Sequence, residues 1–391
     1  MIQLIQQRSK EILEEVVAIR RHLHQHPELS FQEFETSAFV QNKLNEYGIS
    51  FQSGIVETGI VALIRSEQPT SHCIALRADL DALPIKEMNE VPYCSQNEGL
   101  MHACGHDAHT SMLLGAAKII NENRDKLKAD VKLIFQPGEE KLPGGAKLMI
   151  EAGVLEDPKV SEIYALHVFP ELEVGKVGLK AGMYMASTDE IFITVHGKGG
   201  HGAMPHQNID PIYISAQLIT SLQQIVSRKC PPTIPCVLSF GRIEGLGATN
   251  VIPDKVELQG TFRTMNEEWR KKAHELIRKE SQGLVESMDG KVDVDIKVGY
   301  PYLENNSEIT AKAKNKAIEV LGNDKVIDLE LRMTAEDFAY YSQVVPATFI
   351  RVGTRNEEKG FVNPVHNAHF DIDENALQYG IQTLLAQVFI S

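Results

Sequence analysis

The sequence predicts an α/β protein: a covered mixed sheet interrupted by an inserted ferredoxin-like α+β domain. Three observations carry that expectation. Helical and strand-sized segments alternate through residues 1–186 and again through 301–391, the pattern of a sheet with helices on both faces. The stretch 187–300 has an order that is complete in itself, βαββαβ. A chain of 391 residues is also longer than one hydrophobic core comfortably organises.

The elements follow in order. The opening MIQLIQQRSKEILEEVVAIRRHLHQHPEL sets apolar residues at helical spacing among many charges, which predicts an amphipathic helix and neither an export signal nor a membrane span. A helix is expected over Glu33–Tyr47, then strands at Ile60–Ile64 and Cys73–Arg77. Thr110–Asn121 reads as a helix leading into a strand at Val131–Phe135, and Gly145–Ala152 as one leading into Glu162–His167. In the insertion, Ile191–His196, Cys236–Arg242, Lys255–Arg263 and Lys291–Val298 read as strands, with Pro211–Ser227 and Glu267–Met288 as helices. The outer pattern resumes with a helix at Ile309–Leu321, a strand at Ala347–Val352 and a helix at Glu374–Phe389. Sheets of this kind bind ligands beyond the carboxyl ends of their strands.

A composition of 43% hydrophobic and 24% charged residues is that of an ordinary globular protein. The net charge of −14 disfavours nucleic acid and anionic membranes as partners. Five cysteines, an odd number in a long chain without an export signal, point to reduced thiols and a cytoplasmic setting.

One segment is dense in metal-capable side chains: MHACGHDAHT, with His102, Cys104, His106, Asp107 and His109. Thiolate and imidazole suit zinc and similar divalent ions, and added carboxylates admit manganese. On a helix, Cys104 and His106 would point nearly opposite ways, so joint ligation needs a turn, which Gly105 permits. A second signal, FQPGEE, puts Glu139 and Glu140 just after a strand. Adjacent side chains diverge, so one carboxylate can hold a metal while the other handles a proton. His167 ends the strand in YALHVFP, and PVHNAHFDIDE offers His366 and His369 before the last helix. Taken singly, each segment has a bland structural reading: a His-rich helix start, a solvated acidic turn, a strand-end histidine, a capping turn around Asp373. Together they supply a thiolate, imidazoles and carboxylates at successive strand ends of one sheet.

At these residues the sequence resembles the aminoacylase and hippurate hydrolase branch of the metallopeptidases, which includes carboxypeptidases and plant indole-acetyl-amino-acid hydrolases. The resemblance runs through RRHLHQHPELSFQE, LRADLDALPI, MHACGHDAHT, FQPGEE, ALHVFP, GKGGHGAMPH, TNVIPD, MTAEDF and VHNAHFDIDE, nearly the whole chain. It implies a catalytic domain with two divalent metal ions and an inserted lid domain that also mediates dimerisation. Carried over by position, Cys104 is the bridging ligand, His106, Glu140, His167 and His366 are the other ligands, and Glu139 is the general base. His201 would assist the tetrahedral intermediate, and Asn250 would contact the substrate carboxylate or the oxyanion. In LRADLDALP, Arg77 stands where the wider clan has a ligand histidine, so Asp79 is not expected to orient a ligand, and His106 is expected to supply the missing imidazole.

The implied reaction is hydrolysis of an N-acyl amino acid or small peptide to a carboxylate and a free amino acid, with manganese or zinc, or nickel, as the metal. Two other readings stay open on the sequence: a metal-independent cysteine hydrolase using Cys104, and a catalytically silent metal-binding relative. The acyl group and the amino acid are not legible in any single position.

Overall fold

The computed structural model describes residues 1–390. The chain forms two compact units, the first from Met1–Tyr184, Glu304–Leu331 and the segment from Asp337 onward, the second from Met185–Leu303 with Arg332–Glu336.

The first unit is built on one eight-stranded sheet, in the order Phe51–Ile55, Gly59–Ile64, Asp130–Gln136, Cys73–Asp79, Glu162–Glu173, Ala347–Arg355, Val177–Leu179 and Val326–Asp328. Its four central strands, from Asp130–Gln136 to Ala347–Arg355, run parallel, while Gly59–Ile64 and Val177–Leu179 join antiparallel on either side. Asp130–Gln136 and Cys73–Asp79 are buried at every position, as strands covered on both faces must be. The strands that sequence patterning did not show, Phe51–Ile55, Val177–Leu179 and Val326–Asp328, are short or largely solvent-facing and carry little periodicity.

Helix His106–Glu122 lies almost wholly in the core, against Leu13–Gln25 and Ala376–Phe389. Its close packing shows at Gly115, where an added Cβ would stand 2.8 Å from Val16 and from Ile381. The helix begins four residues before the expected Thr110, because Gly105 takes a left-handed φ of +82° and starts it at His106. The amphipathic N-terminal stretch is two helices, Ile2–Glu11 and Leu13–Gln25, broken at Ile12.

The second unit is a four-stranded antiparallel sheet ordered Cys236–Glu244, Lys255–Thr264, Asp189–His196, Lys291–Val298. With helices Pro211–Gln224 and Glu267–Glu286 in the crossovers, this is the ferredoxin-like arrangement. Asp210 caps the first helix by accepting from the amides of Ile212 and Tyr213, with Pro211 in the first turn, and Asn266 caps the second. The first helix ends in a π turn, Ile225–Lys229, two residues beyond its expected end at Ser227. A separate ribbon pairs Gly200–His201 with Val251–Ile252.

Among the described residues, no helix is long and apolar enough to cross a membrane.

A buried ion cluster closes the second unit: Asp189 accepts from Arg270 Nη2 at 2.6 Å and lies 2.7 Å from His274 Nε2. Burial works against the charged carboxylate, but the bonds from His274 and Arg270 prevail and hold it below its ordinary value of 3.8. Asp189→Asn is expected to cost about 3–5 kcal/mol by leaving Arg270 buried without its counter-charge. Trp269, on the helix that supplies Arg270, is the only tryptophan in the chain, so its fluorescence follows this unit through a urea titration. A depressed carboxylate contributes fully above its unfolded range and loses that contribution as pH falls through the folded value. The wild-type and variant midpoints should therefore converge on acidification. A gap that stays constant to low pH would mean the carboxylate's charge is not what matters.

Candidate metal centre

The carboxyl ends of the parallel strands converge on one spot. Strand Cys73–Asp79 delivers Asp79 and then Asp81, strand Asp130–Gln136 runs into Pro137–Glu140, and strand Glu162–Glu173 carries His167. Gly105 turns the chain between Cys104 and His106. A Cβ at Gly105 would lie 2.5 Å from Val168, so the turn is also pressed against the strand that bears His167.

Cys104 joins two ligand groups. In one, its sulfur stands with His106 and His167; in the other, with Glu140 and His366; the potential ligand atoms of each group lie within 4.8 Å of one another. Cys104 Sγ is 3.5 Å from His167 Nε2, and Glu140 Oε1 is 3.3 Å from His366 Nε2 and 4.0 Å from His106 Nε2. All five sequence-selected ligand candidates are thus brought together. Glu139 is buried beside them, grouped with His106 and Glu140, and one of its oxygens accepts from the Asp337 amide at 3.2 Å.

A second layer sets the orientation of these groups. His106 Nδ1 faces Asp81 Oδ1 at 3.2 Å, and Asp81 Oδ2 accepts from Ser30 Oγ and from the Glu140 amide at 2.9 Å. His167 Nδ1 bonds the Val168 carbonyl at 2.7 Å, which leaves Nε2 for the sulfur side. His366 adopts a left-handed φ of +62°, and its amide bonds the Ala103 carbonyl at 2.7 Å, tying its loop to the cysteine segment. Glu33 accepts from the Gly138 amide at 2.8 Å and from Thr58 Oγ1 at 2.7 Å, and so holds the loop that carries the paired glutamates.

Asp79 is 3.8 Å from His106 Nδ1, while Asp81 is nearer. Asp79 instead accepts from His109 Nδ1 at 2.6 Å and from Arg77 at 2.6 Å. His109 Nε2 in turn accepts from the Val168 amide, so both of its nitrogens are engaged within the fold. His102 is buried and neutral, pushed down to about 4 by burial. His369, an alternative to His366 on sequence, is exposed and belongs to none of the ligand groups. Asp81 and Asp337 lie within LRADLDALPI and MTAEDF but were given no role from the sequence. Neither stands out among 53 acidic residues, because only the fold places them beside the centre.

The charges of the site suit a divalent ion. The imidazole Nε2 of His106 is fully buried with no hydrogen-bond partner, an open donor atom aimed into the cluster. Burial disfavours the charged form of His106, yet Asp79 and the Cys104 sulfur outweigh it and raise the group well above its usual range. Burial, reinforced by the charge of Glu140, pushes the Cys104 thiol up. Bonds to Cys104 and Glu140 bring His366 to about 10. Burial and then the Arg351 guanidinium keep His167 well below its usual range, in the neutral form a metal needs. A divalent ion stabilises thiolate and neutral imidazole, and so replaces the protons these groups would otherwise hold. The donor set would suit two ions, since Cys104 belongs both to the group with His106 and His167 and to the group with Glu140 and His366.

His201 and Asn250 lie in the second unit, His201 on the two-stranded ribbon and Asn250 in the turn before its second strand. Val251 pairs with His201, and the Gly202 amide bonds the Asn250 carbonyl at 2.8 Å. Both residues are exposed. His201 Nδ1 accepts from the Ala203 amide at 3.0 Å, which leaves Nε2 to donate.

If Asp81 orients His106, Asp81→Asn should weaken metal binding by roughly 10–100-fold, the usual cost of removing a ligand's outer partner. Zinc or manganese titration against a competing chelator reads the affinity directly. An unchanged affinity would assign the role to Asp79.

Residues 75–388 match the peptidase family M20/M25/M40. Across 93% of its length the chain is 41% identical to an N-acetyl-L-cysteine deacetylase of Bacillus subtilis, covering 85% of that protein. It is 39% identical to thermostable carboxypeptidase 2 of Saccharolobus solfataricus, over 95% of this chain and 94% of the other. A dinuclear metal-binding peptidase of the same family from Bacillus subtilis superposes with a TM-score of 0.82 at 34% identity, covering 97% of this chain and 98% of its own. On this match in sequence and in structure, the chain belongs to peptidase family M20/M25/M40.

Proposed function

We propose that the protein hydrolyses the amide bond of N-acyl amino acids, and of small peptides with a free C-terminus, to a carboxylate and an amino acid. The observation that carries this reading is the convergence of Cys104, His106, Glu140, His167 and His366 around a shared sulfur with Glu139 alongside. The deacetylase and the carboxypeptidase that the chain resembles have one substrate feature in common by their names, an amide nitrogen on an amino acid with a free carboxylate.

Two divalent ions in that cluster would polarise the amide carbonyl and acidify water. We assign them as manganese or zinc, with nickel a further option, since a thiolate favours zinc while a carboxylate and imidazoles accommodate manganese. Glu139, held by the Asp337 amide, takes the proton from the attacking water and delivers it to the departing nitrogen. His201 offers an Nε2–H donor suited to the developing oxyanion, and Asn250 an amide suited to the substrate carboxylate. We further infer a homodimer formed through the second unit, and a cytoplasmic enzyme with no nucleic-acid or membrane partner, in keeping with five unpaired cysteines and a net charge of −14. The metal-independent alternative is disfavoured by Cys104 itself, since a thiol raised by burial is a weak nucleophile. The silent relative is disfavoured by the presence of Glu139 in position.

The neighbouring glutamates test the assignment. Glu139→Gln should retain metal while kcat falls by on the order of 10²-fold or more, with KM little changed. Glu140→Gln should lose one ion and recover in part with excess metal. Metal analysis beside hydrolysis of N-acetyl, N-benzoyl and dipeptide substrates reads both. Loss of metal in the first variant and retention in the second would reverse the two roles. Retention of metal and turnover in both would remove this cluster as the active site.

A further inference from the structure

In the second unit, Cys230 and Cys236 bracket Pro231–Pro235, a five-residue loop with three prolines. Cys230 closes the π turn Ile225–Lys229, its amide bonding the Ile225 carbonyl at 2.9 Å. Cys236 opens strand Cys236–Glu244, at the edge of the sheet, in register with Thr264. The loop is pinned from both sides: the Ile234 amide bonds the Pro231 carbonyl at 3.0 Å, and Thr264 Oγ1 bonds the Pro235 carbonyl at 3.0 Å. The Cys230 thiol turns inward to the Ile234 carbonyl at 3.5 Å, and the Trp269 indole N–H donates to Cys236 Sγ at 3.4 Å. Both side chains pack against the hydrophobic core of this unit, at the two ends of that pinned loop. Both are half-buried and unpaired.

We propose that Cys230 and Cys236 form a reversible dithiol–disulfide site, closed by exchange with a low-molecular-weight disulfide. The prolines leave the loop little freedom to lose on closure, so the second thiol waits at high local concentration for the first. The order of events follows from the contacts. Cys236 is the less available thiol, its sulfur engaged by the Trp269 indole and its proton held up to about 12 chiefly by burial. Cys230 therefore gives up its proton first. Its thiolate attacks one sulfur of the small disulfide, the S–S bond breaks, and one small thiolate leaves and takes up a proton. Cys236 then loses its proton and attacks the Cys230 sulfur. The protein S–S bond forms and the second small thiol departs. In balance, two protein thiols are oxidised and one small disulfide is reduced to two thiols. Burial of both sulfurs makes the exchange slow at neutral pH, so equilibrium and not speed is the property to measure. The bond would fasten the end of the first helix of this unit to the first residue of its edge strand.

The test uses the intact protein with its metal, equilibrated in oxidised glutathione and then in mixtures with reduced glutathione. Free thiols are alkylated and the peptides mapped, while Trp269, the only tryptophan and in contact with Cys236, reports by fluorescence. The expected result is a peptide linked internally between Cys230 and Cys236 and a fall in fluorescence. Both should reverse with excess reduced glutathione. In Cys230→Ser the fluorescence should stay constant and Cys236 should remain alkylatable. The proposal is overturned if both thiols still alkylate in oxidised glutathione alone, if Cys230 stops at the glutathione adduct, or if either cysteine links elsewhere. Should Cys230→Ser fail to fold, the wild-type peptide map decides on its own.

Discussion

The candidate metal centre depends on one backbone conformation, the left-handed turn at Gly105. With φ at +82°, it reverses the side-chain direction between Cys104 and His106 and starts the buried helix in the same step. A regular helix would send those two side chains to opposite faces. Any side chain at 105 would meet strain in the backbone and also Val168, whose strand holds His167. Turn, helix and the strand that carries His167 are therefore a single geometric solution, and none of the three can shift without the other two.

Around that turn the fold spends its buried charges on holding loops in place. Arg20, fully buried, bonds Asp107 at 2.8 Å and Asp371 at 2.7 Å, and His24 adds a contact to Asp107 at 2.8 Å. This cluster fixes the start of the helix that carries His106 to the segment following His366. On the far side, Asp337 accepts from Arg77, from Gln136 and from the Ala146 amide, while its own amide reaches Glu139. Buried ion clusters are weak sources of net stability, because desolvation consumes most of the Coulombic gain. Their value here is geometric: ligands donated by distant segments of the chain must arrive within tenths of an ångström. A loop fixed only by apolar contacts tolerates sliding that a network of directional bonds does not.

The same distinction explains what could be read from the sequence. The central strands and the long helices announce themselves by periodicity. The inserted order βαββαβ was visible because its strands alternate and its helices are capped by Asp210 and Asn266. The ligand candidates were legible because thiol and imidazole are scarce residue types, clustered in short segments at strand ends. Asp81 and Asp337 were not, since an acidic residue is ordinary in sequence and acquires meaning only from the partner that folding places opposite it. Asp79 shows the subtler case. Arg77 in the preceding strand marks it as unusual, and the structure gives it to Arg77 and His109, with Asp81 taking the closer place at His106. Glu33 lies far from FQPGEE in sequence, and no pattern links a glutamate at the start of a helix to the amide of Gly138.

The paired glutamates show how adjacency in sequence becomes a division of labour. Both leave the same strand end, yet their surroundings differ. Glu139 is buried and bonded by the amide of Asp337, a residue that Arg77 and Gln136 hold in turn, so its position is dictated by the protein. Glu140 is restrained through its backbone, by Asp81, and its carboxylate turns to His366 and His106. A proton carrier must stay in place while its charge changes, which calls for anchoring by groups that do not titrate with it. A backbone amide meets that requirement. A metal ligand needs the opposite, a carboxylate whose partners are the other ligands, so that one ion satisfies them all at once. The two environments suit the two tasks proposed for them, Glu139 for the proton and Glu140 for the metal.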